Sequence, residues 1–160
     1  MIATISLGSN QGNRLEFLVS ALNAISQLPE VSLLRKSKAY QTAAEGGVTE
    51  KPFLNAVIEI DTSLLPFELL KQMQKIEIEN HRIRNERWGD RTLDIDLIAI
   101  DDLVIEGDDL KIPHPLAHER SFVLIPWLEV NPKAVLPGKG PIDEIIKKKN
   151  FSALEIFAEI

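Results

Sequence analysis

Cysteine is absent from the 160-residue chain, and histidine, which commonly binds metals, occurs only three times. Without cysteine the chain can form no disulfide, no thiolate metal site and no cysteine nucleophile. Three histidines are barely enough to form a multi-histidine zinc site. Carboxylates and arginines are therefore the candidate catalytic and binding groups.

Long apolar runs are also missing from the sequence. No stretch approaches the ~20 consecutive apolar residues that a membrane-spanning helix needs. The amino-terminal segment MIATISLGSN has neither the basic nor the apolar region of a secretory signal. We therefore expect a cytoplasmic protein with no membrane segment.

Positive charge is in the minority, with 18 lysines and arginines against 24 aspartates and glutamates. The resulting net charge of -6 argues against a general nucleic-acid binder and against an anionic-membrane binder. Hydrophobic residues make up 44% of the chain and charged residues 26%, which is typical of a globular protein. The length fits one domain, so we expect a single domain over residues 1–160. We also expect a monomer.

Apolar periodicity predicts most of the secondary structure. Strands are predicted at residues 2–7, 31–41, 53–61 and 93–100, with a short partner strand at 103–105. One helix is predicted after Asn13, which can cap it together with Glu16, and a second begins at Pro66. Residues 42–52 have no periodicity and are predicted to form a loop.

This order, β-α-β-β-α-β, predicts an α+β protein with the split ferredoxin-like arrangement, in which an antiparallel sheet carries both helices on one face. Two more helices are predicted near residues 122–130 and 141–149. The chain after the core is therefore expected to be an α-helical C-terminal extension.

Asp94 and Asp96 lie two residues apart in an otherwise apolar predicted strand. Such side chains share one face, ~6.6 Å apart along the chain, and their charges repel. One interpretation is the solvent-facing side of a sheet, bridged by Arg91 or a lysine. The other is a magnesium site, because Mg²⁺ binds carboxylate oxygens together with substrate phosphates.

Four of the seven arginines lie in one ten-residue segment directly before this strand, namely Arg82, Arg84, Arg87 and Arg91. They could exchange ion pairs with nearby acidic residues in a solvated loop. Guanidinium groups beside a dicarboxylate metal site would instead clamp a polyphosphate, and charge neutralisation is most of what phosphoryl transfer requires. The adjacency of the two signals favours the phosphate site.

Aromatic and amide side chains near these motifs are candidates for binding a flat heterocycle. Trp88 lies inside the arginine segment, and Phe53 and Phe122 could either stack on a ring or pack in the core. Asn55 stands in an apolar predicted strand, so it needs a hydrogen-bonding partner if it is buried. An amide-bearing ligand would supply that partner.

Two further segments have both a structural and a functional interpretation. His114 stands between two prolines with Arg120 six residues later, which suits either a surface loop or a nucleotide phosphate site. The turn from Gly8 to Gly12 lacks the lysine and the spacing of a phosphate-binding loop, so a tight turn with a helix cap is the preferred interpretation.

The motifs occur in a recognisable order: G-S-N-Q-G-N-R, Y-Q-T, F-L-N, R-x-R-x-x-R-W-G-x-R-T-L-D-I-D-L and I-P-H-P-x-x-x-x-R-x-F. Together they resemble the 6-hydroxymethyl-7,8-dihydropterin pyrophosphokinase family of the folate pathway. The resemblance extends to about Pro132. It implies a ferredoxin-like fold and the transfer of diphosphate from ATP to the pterin hydroxymethyl group, which gives AMP.

The resemblance also assigns roles to individual positions. It implies that Asp94 and Asp96 hold two magnesium ions and that Arg82 and Arg91 assist the transfer. The ATP site would comprise Gln74, Glu77, Arg84, Arg87, His114 and Arg120. The pterin site would comprise Thr42, Phe53, Asn55, Trp88 and Phe122.

Some positions depart from the family pattern. Asp90 stands where the family usually has proline, His81 where glycine is frequent, and Gln41 where arginine is common. Residues 42–45, T-A-A-E, replace a T-x-P-x-G type of loop. None of these departures removes an expected metal ligand or catalytic arginine.

Two other functions remain as alternatives. Nucleotidyltransferases also combine a G-S turn with D-x-D, but there the two lie close in sequence, whereas Ser9 and Asp94 are separated by about half of this chain. A non-catalytic ferredoxin-like domain could bind a small ligand. Such a domain would have no use for two aspartates beside four arginines.

Overall fold

The computed structural model describes residues 1–43, 51–80 and 92–160. Strands are β1 (Ile2–Ser9), β2 (Val31–Lys36), β3 (Ala39–Thr42), β4 (Phe53–Thr62), β5 (Asp94–Ile100), β6 (Ile105–Glu106), β7 (Lys111–Ile112), β8 (Val135–Leu136), β9 (Gly140–Pro141) and β10 (Glu155–Ala158). Helices are α1 (Arg14–Ser26), α2 (Pro66–Glu79), α3 (Ser121–Val130) and α4 (Ile142–Lys149). A 3₁₀ turn covers Ala117–Glu119.

The main sheet has the strand order β10-β3-β4-β1-β5, and every neighbouring pair is antiparallel. β2 pairs with the same strand as β3, because both lie along β4 one after the other. Up to β5 the elements follow the predicted order of strands and helices. The sheet brings together β1, β4 and β5, whose sequences are far apart, and these three strands carry the candidate site.

Helices cover both faces of the main sheet. α1 packs on β1 and β4, and α2 packs on β5, around a core that includes Ile5, Ile58 and Met73. α3 packs on β4 on the opposite face, in a second buried cluster that includes Val57 and Trp127. None of the helices in residues 1–43, 51–80 and 92–160 is long and apolar enough to cross a membrane.

The start of α1 follows the prediction. Asn13 is the residue before the helix, and its side chain accepts a hydrogen bond from the Glu16 main-chain N–H at 3.3 Å. Such a cap satisfies one of the amides that the first helical turn leaves unpaired. Pro66 opens α2, also as predicted.

Three strand predictions need correction. The strand predicted at 31–41 is two strands, because the hydroxyl of buried Ser37 accepts the Val57 N–H at 2.9 Å and interrupts the regular ladder. The strand that follows β5 pairs with β7 and not with β5. β1 continues through Gly8 to Ser9, beyond the predicted end at residue 7.

The C-terminal extension is not purely helical. α3 and α4 lie close to their predicted positions, but the chain then returns as β10 to the main sheet. β10 pairs with β3, with Glu155 opposite Gln41 and Ile156 opposite Tyr40. β10 has only four residues and no long alternating pattern, so the sequence did not predict this strand.

Candidate active site

Three residues from three strands lie side by side on one face of the sheet. Gly8 of β1 is in register with Asn55 of β4 on one side and with Asp94 of β5 on the other. Asp96 is likewise opposite Ser6. Neighbouring strands are about 4.8 Å apart, so these residues form a continuous strip of polar side chains around a glycine.

Asp94 and Asp96 have the orientation that the sequence predicts. Both are half-buried, whereas Leu93, Ile95 and Leu97 between and beside them are buried in the core on the other face. The alternation follows from the two-residue period of a strand. The two carboxylates therefore share one face without contributing to the apolar core.

Arg120 contacts the second of these carboxylates. Its Nη1 atom lies 3.2 Å from Asp96 Oδ2, and its residue is 8% exposed. The same guanidinium lies 5.5 Å from the ring centroid of Phe122, at the start of α3. The first turn of α3 therefore brings a cation and an aromatic ring to the aspartate pair.

His114 approaches the same carboxylate from the segment that follows β7. Its main-chain N–H donates to Ile98 O at 2.8 Å, which fixes the segment against β5. Its Nδ1 accepts the Leu116 N–H at 3.1 Å, so in the neutral ring Nε2 carries the proton. Nε2 lies 3.9 Å from Asp96 Oδ2. The ring thus presents a donor toward the aspartate pair.

The ionisation of His114 is strongly perturbed. Burial and, to a smaller extent, the nearby Arg120 lower the pKa of its ring to about 4, against a smaller opposing effect of Asp94. A neutral imidazole is therefore the form present at pH 7. It can donate a hydrogen bond to a phosphate oxygen but adds no positive charge.

A pocket opens over this face of the sheet. Its lining residues are Ser6, Gly8, Thr42, Ala43, Phe53, Asn55, Asp94, Asp96, Arg120 and Phe122. Four residues predicted to bind the pterin are therefore in one pocket with both aspartates. The pocket joins an aromatic and amide-bearing half to a charged half.

The amide of Asn55 is held in a defined orientation at the floor of this pocket. Its Nδ2 donates to Thr42 Oγ1 at 2.9 Å, and the residue is 4% exposed. Thr42 is opposite Phe53 in the β3–β4 ladder. Asn55 therefore has a partner within the protein, and it lines the pocket together with Phe53 and Phe122.

The aspartate pair fits magnesium better than a metal held by many protein ligands. Within the described ranges, no group of three or more histidine, aspartate or glutamate side chains could hold a metal ion. Mg²⁺ is commonly bound by one or two carboxylates, with phosphate and water completing its coordination. Asp94 and Asp96 lie half-buried on one face of the sheet and supply carboxylate oxygens of the kind that Mg²⁺ binds.

Three of the described residues predicted for the ATP site do not line this pocket, namely His114, Gln74 and Glu77. Gln74 is exposed on α2. Glu77 is 3% exposed, and its Oε1 accepts the main-chain N–H of Ile95 at 2.7 Å. The carboxylate of Glu77 thus supports the strand that carries the two aspartates.

Other predicted residues lie outside the described part of the chain. These are Arg82, Arg84, Arg87, Trp88 and Arg91, together with the departures at His81 and Asp90 and most of the predicted loop at 42–52.

Three further residues line the pocket that were not among the predicted site residues, namely Ser6, Gly8 and Ala43. Gly8 had a detectable signal, because a glycine within a strand often marks a close approach of a ligand. The predicted turn after the strand included Gly8, whereas the structure has Gly8 within β1.

Comparison with protein families gives a match over residues 4–132 to 7,8-dihydro-6-hydroxymethylpterin-pyrophosphokinase (HPPK). The chain is 40% identical over 146 residues to the 2-amino-4-hydroxy-6-hydroxymethyldihydropteridine pyrophosphokinase of Haemophilus influenzae, with 91% of each chain covered. It is 43% identical over 129 residues to the protein of the same name from Bacillus subtilis, with 81% of this chain and 77% of that protein covered.

Solved structures with a similar fold include the HPPK-DHPS of Plasmodium falciparum crystallised with pteroate, at a TM-score of 0.72 and 12% identity. That likeness covers 92% of this chain and 44% of that chain, so this chain spans less than half of the solved one. At this identity the likeness concerns the fold alone. The family match and the two bacterial relatives carry the assignment: the chain belongs to the 7,8-dihydro-6-hydroxymethylpterin-pyrophosphokinase family and is a pyrophosphokinase.

Proposed function

We propose that the protein catalyses the magnesium-dependent transfer of diphosphate from ATP to the hydroxymethyl group of 6-hydroxymethyl-7,8-dihydropterin. The products are AMP and the pterin diphosphate, and the reaction belongs to folate biosynthesis. One observation carries this proposal. A single pocket joins Asn55 and two aromatic rings to the paired carboxylates of Asp94 and Asp96.

The amide-bearing half of the pocket would bind the pterin. Phe53 and Phe122 both line it, and aromatic rings bind flat heterocycles by stacking. Asn55 can donate and accept at the polar edge of a ring, and Thr42 fixes its amide group. Trp88, in the undescribed segment, belongs to the same proposal.

The charged half of the pocket would receive the ATP phosphates. Asp94 and Asp96 would hold two magnesium ions, which supply charge neutralisation along the phosphate chain. Arg120 reaches this half with a guanidinium and His114 with a neutral N–H donor. Both donors are suited to phosphate oxygens.

The remaining ATP contacts are proposed from the family resemblance. They are Gln74, Glu77, Arg84 and Arg87, with Arg82 and Arg91 assisting the transfer itself. For Glu77 the burial and the bond to Ile95 favour a supporting position behind Asp94 and Asp96. The other proposed contact in the described chain, Gln74, is exposed and free to reach a ligand above α2.

In the proposed reaction the hydroxyl oxygen of the pterin side chain attacks the β-phosphorus of ATP. A new oxygen–phosphorus bond forms, and the bond between the β-phosphorus and the oxygen that bridges to the α-phosphorus breaks. AMP leaves with that oxygen and its electron pair. The hydroxyl proton passes to solvent or to Asp96, and the arginines stabilise charge on the phosphate oxygens.

The same proposal includes the ferredoxin-like description of the core. Its support is the strand order β3-β4-β1-β5 with α1 and α2 on one face. A single domain over residues 1–160, a monomer and a cytoplasmic location stay predictions.

Product analysis tests the proposal. The protein is incubated with magnesium, ATP and the reduced pterin alcohol, and the nucleotide and phosphate products are separated. AMP formation that requires both magnesium and the pterin alcohol is expected. Release of free pyrophosphate with an AMP-linked product would show a nucleotidyltransferase instead, and the absence of any turnover would overturn the proposal.

A further inference from the structure

Arg14, the first residue of α1, makes three contacts with parts of the chain that are distant in sequence. Its Nη1 donates to the carbonyl of Pro52 at 2.9 Å, and its Nη2 donates to Gln41 Oε1 at 3.1 Å. Its guanidinium carbon also lies 5.4 Å from the ring centroid of Phe157 on β10. One side chain therefore joins the ends of β3 and β4 to the C-terminal strand.

The two hydrogen-bonded partners are the chain neighbours of pocket residues. Gln41 precedes Thr42, and Pro52 precedes Phe53. Thr42 and Phe53 are opposite each other as the last pair of the β3–β4 ladder, and both line the pocket. Arg14 thus bridges the two strands at the end where the pocket wall is built.

The position of Thr42 also affects the pocket floor. Its hydroxyl accepts the Asn55 amide at 2.9 Å, so a shift of β3 would turn the group proposed to read the ring edge. β10 supports β3 from its other side, with Glu155 opposite Gln41. Phe157 packs against the guanidinium as a cation–π contact, which favours the charged side chain in this place.

We propose that Arg14 is a positioning residue for the heterocycle subsite. By holding Gln41 and Pro52 together, it sets the distance between Thr42 and Phe53 and the orientation of the Asn55 amide. Phe157 of β10 keeps the guanidinium in place. The inference rests on the proposed assignment of this half of the pocket to the pterin, and it gives β10, which lies beyond the family match at residues 4–132, a part in substrate binding.

The test measures steady-state kinetics of Arg14→Ala with the pterin alcohol at saturating ATP, beside equilibrium binding of a non-hydrolysable ATP analogue. Loss of two charge-assisted hydrogen bonds predicts a KM for the pterin roughly tenfold higher. We expect kcat and the affinity for the ATP analogue to stay within about twofold, because Arg14 touches neither reacting group. Arg14→Lys should recover part of the loss, since it keeps the charge but not the fork.

Matched variants complete the experiment. Phe157→Leu should raise the KM for the pterin in the same direction by a smaller factor. Lys71→Ala removes a comparable surface cation that lies over a ring, 4.9 Å from the Phe67 centroid, and should leave all constants unchanged. Asn55→Ala tests the assignment of the pocket to the pterin, and it should raise the KM for the pterin.

An unchanged KM for the pterin in Arg14→Ala, with a raised KM in Asn55→Ala, would overturn the positioning role and leave the proposed function intact. No effect in either variant would overturn both the pocket assignment and the inference. A parallel loss of kcat, ATP-analogue affinity and thermal stability in Arg14→Ala would show a general structural role, which also contradicts the inference.

Discussion

The carboxylate of Glu77 accepts the main-chain N–H of Ile95 at 2.7 Å, directly between the two aspartates of the candidate site. β5 ends the strand order of the main sheet, so its outer main-chain groups need partners from other elements. Glu77 serves one of these groups and the His114 N–H serves another, at Ile98 O. The position of the aspartates therefore depends on side chains and segments from outside the strand.

Replacement of Glu77 should affect stability first. Glu77→Ala leaves the Ile95 N–H without this acceptor in a buried position and should lower the free energy of unfolding by about 1–3 kcal/mol. Glu77→Gln keeps an acceptor oxygen and should cost less. Denaturant unfolding measures both, with Glu79→Ala on the exposed end of the same helix as control, expected within about 0.5 kcal/mol. Equal effects of Glu77→Ala and Glu79→Ala would contradict the supporting role.

Replacement of the aspartates should separate activity from folding. Asp94→Ala and Asp96→Ala should lower turnover by orders of magnitude, because each variant removes a carboxylate that would bind the magnesium ions. The free energy of unfolding should change little in Asp94→Ala, since removal of one carboxylate relieves repulsion within the pair. It should fall in Asp96→Ala, because this variant also removes the hydrogen bond that buried Arg120 donates to Asp96. Magnesium-dependent AMP formation gives the activity, and Asp108→Ala in an exposed turn is the control. Near-normal magnesium-dependent turnover in both site variants would refute the metal site.

A methyl group at Gly8 should obstruct the pocket floor. A Cβ atom there would lie 3.0 Å from Asn55 Oδ1 and 3.8 Å from the Phe53 ring. The distance to the amide oxygen is shorter than most Cβ contacts in proteins. Gly8→Ala should therefore raise the KM for the pterin by about tenfold or more, the equivalent of one lost polar contact. The affinity for the ATP analogue should change less and serves as the internal control. An unchanged KM for the pterin in Gly8→Ala would contradict this expectation.

The four arginines before β5 should divide into two groups by kinetics. Arg82→Ala and Arg91→Ala should each cost about 3–5 kcal/mol of transition-state stabilisation, the size of a lost oxyanion donor or arginine finger. Arg84→Ala and Arg87→Ala should mainly weaken ATP binding. Single-turnover rates at saturation, measured beside equilibrium binding, distinguish the groups. Normal single-turnover rates in the Arg82 and Arg91 variants, with weakened ATP binding, would make these residues phosphate anchors only.

The ring of His114 should contribute a pH dependence of stability in the acid range. Burial lowers its pKa from 6.5 to about 4, so the unfolded chain binds a proton at a pH where the folded protein does not. This contribution to stability is present above pH 6.5 and is lost as the pH falls from 6.5 toward 4. Unfolding across this range should show a steeper decline in the wild type than in His114→Gln. A ring that titrates near 6.5 by NMR would contradict the expectation.

Local patterns in the sequence were enough to predict several features of the site. The two-residue period of β5 placed Asp94 and Asp96 on one face and Ile95 on the other, because side-chain direction in a strand depends only on position along it. The cap at Asn13 and the start of α2 at Pro66 follow from local hydrogen bonding and a fixed φ angle. The order of strands and helices up to β5 was readable for the same reason.

Contacts between distant segments were decided only by the tertiary structure. The register between strands put Gly8 between Asn55 and Asp94, and helix packing buried Glu77 against Ile95. Neither relation is encoded by a local period, since each depends on how separate elements align after they fold. The return of β10 beside β3 is of the same kind. The sequence by itself determined which side chains share a face, and the tertiary structure decided which faces meet, because strand pairing and helix packing join residues that no short-range pattern connects.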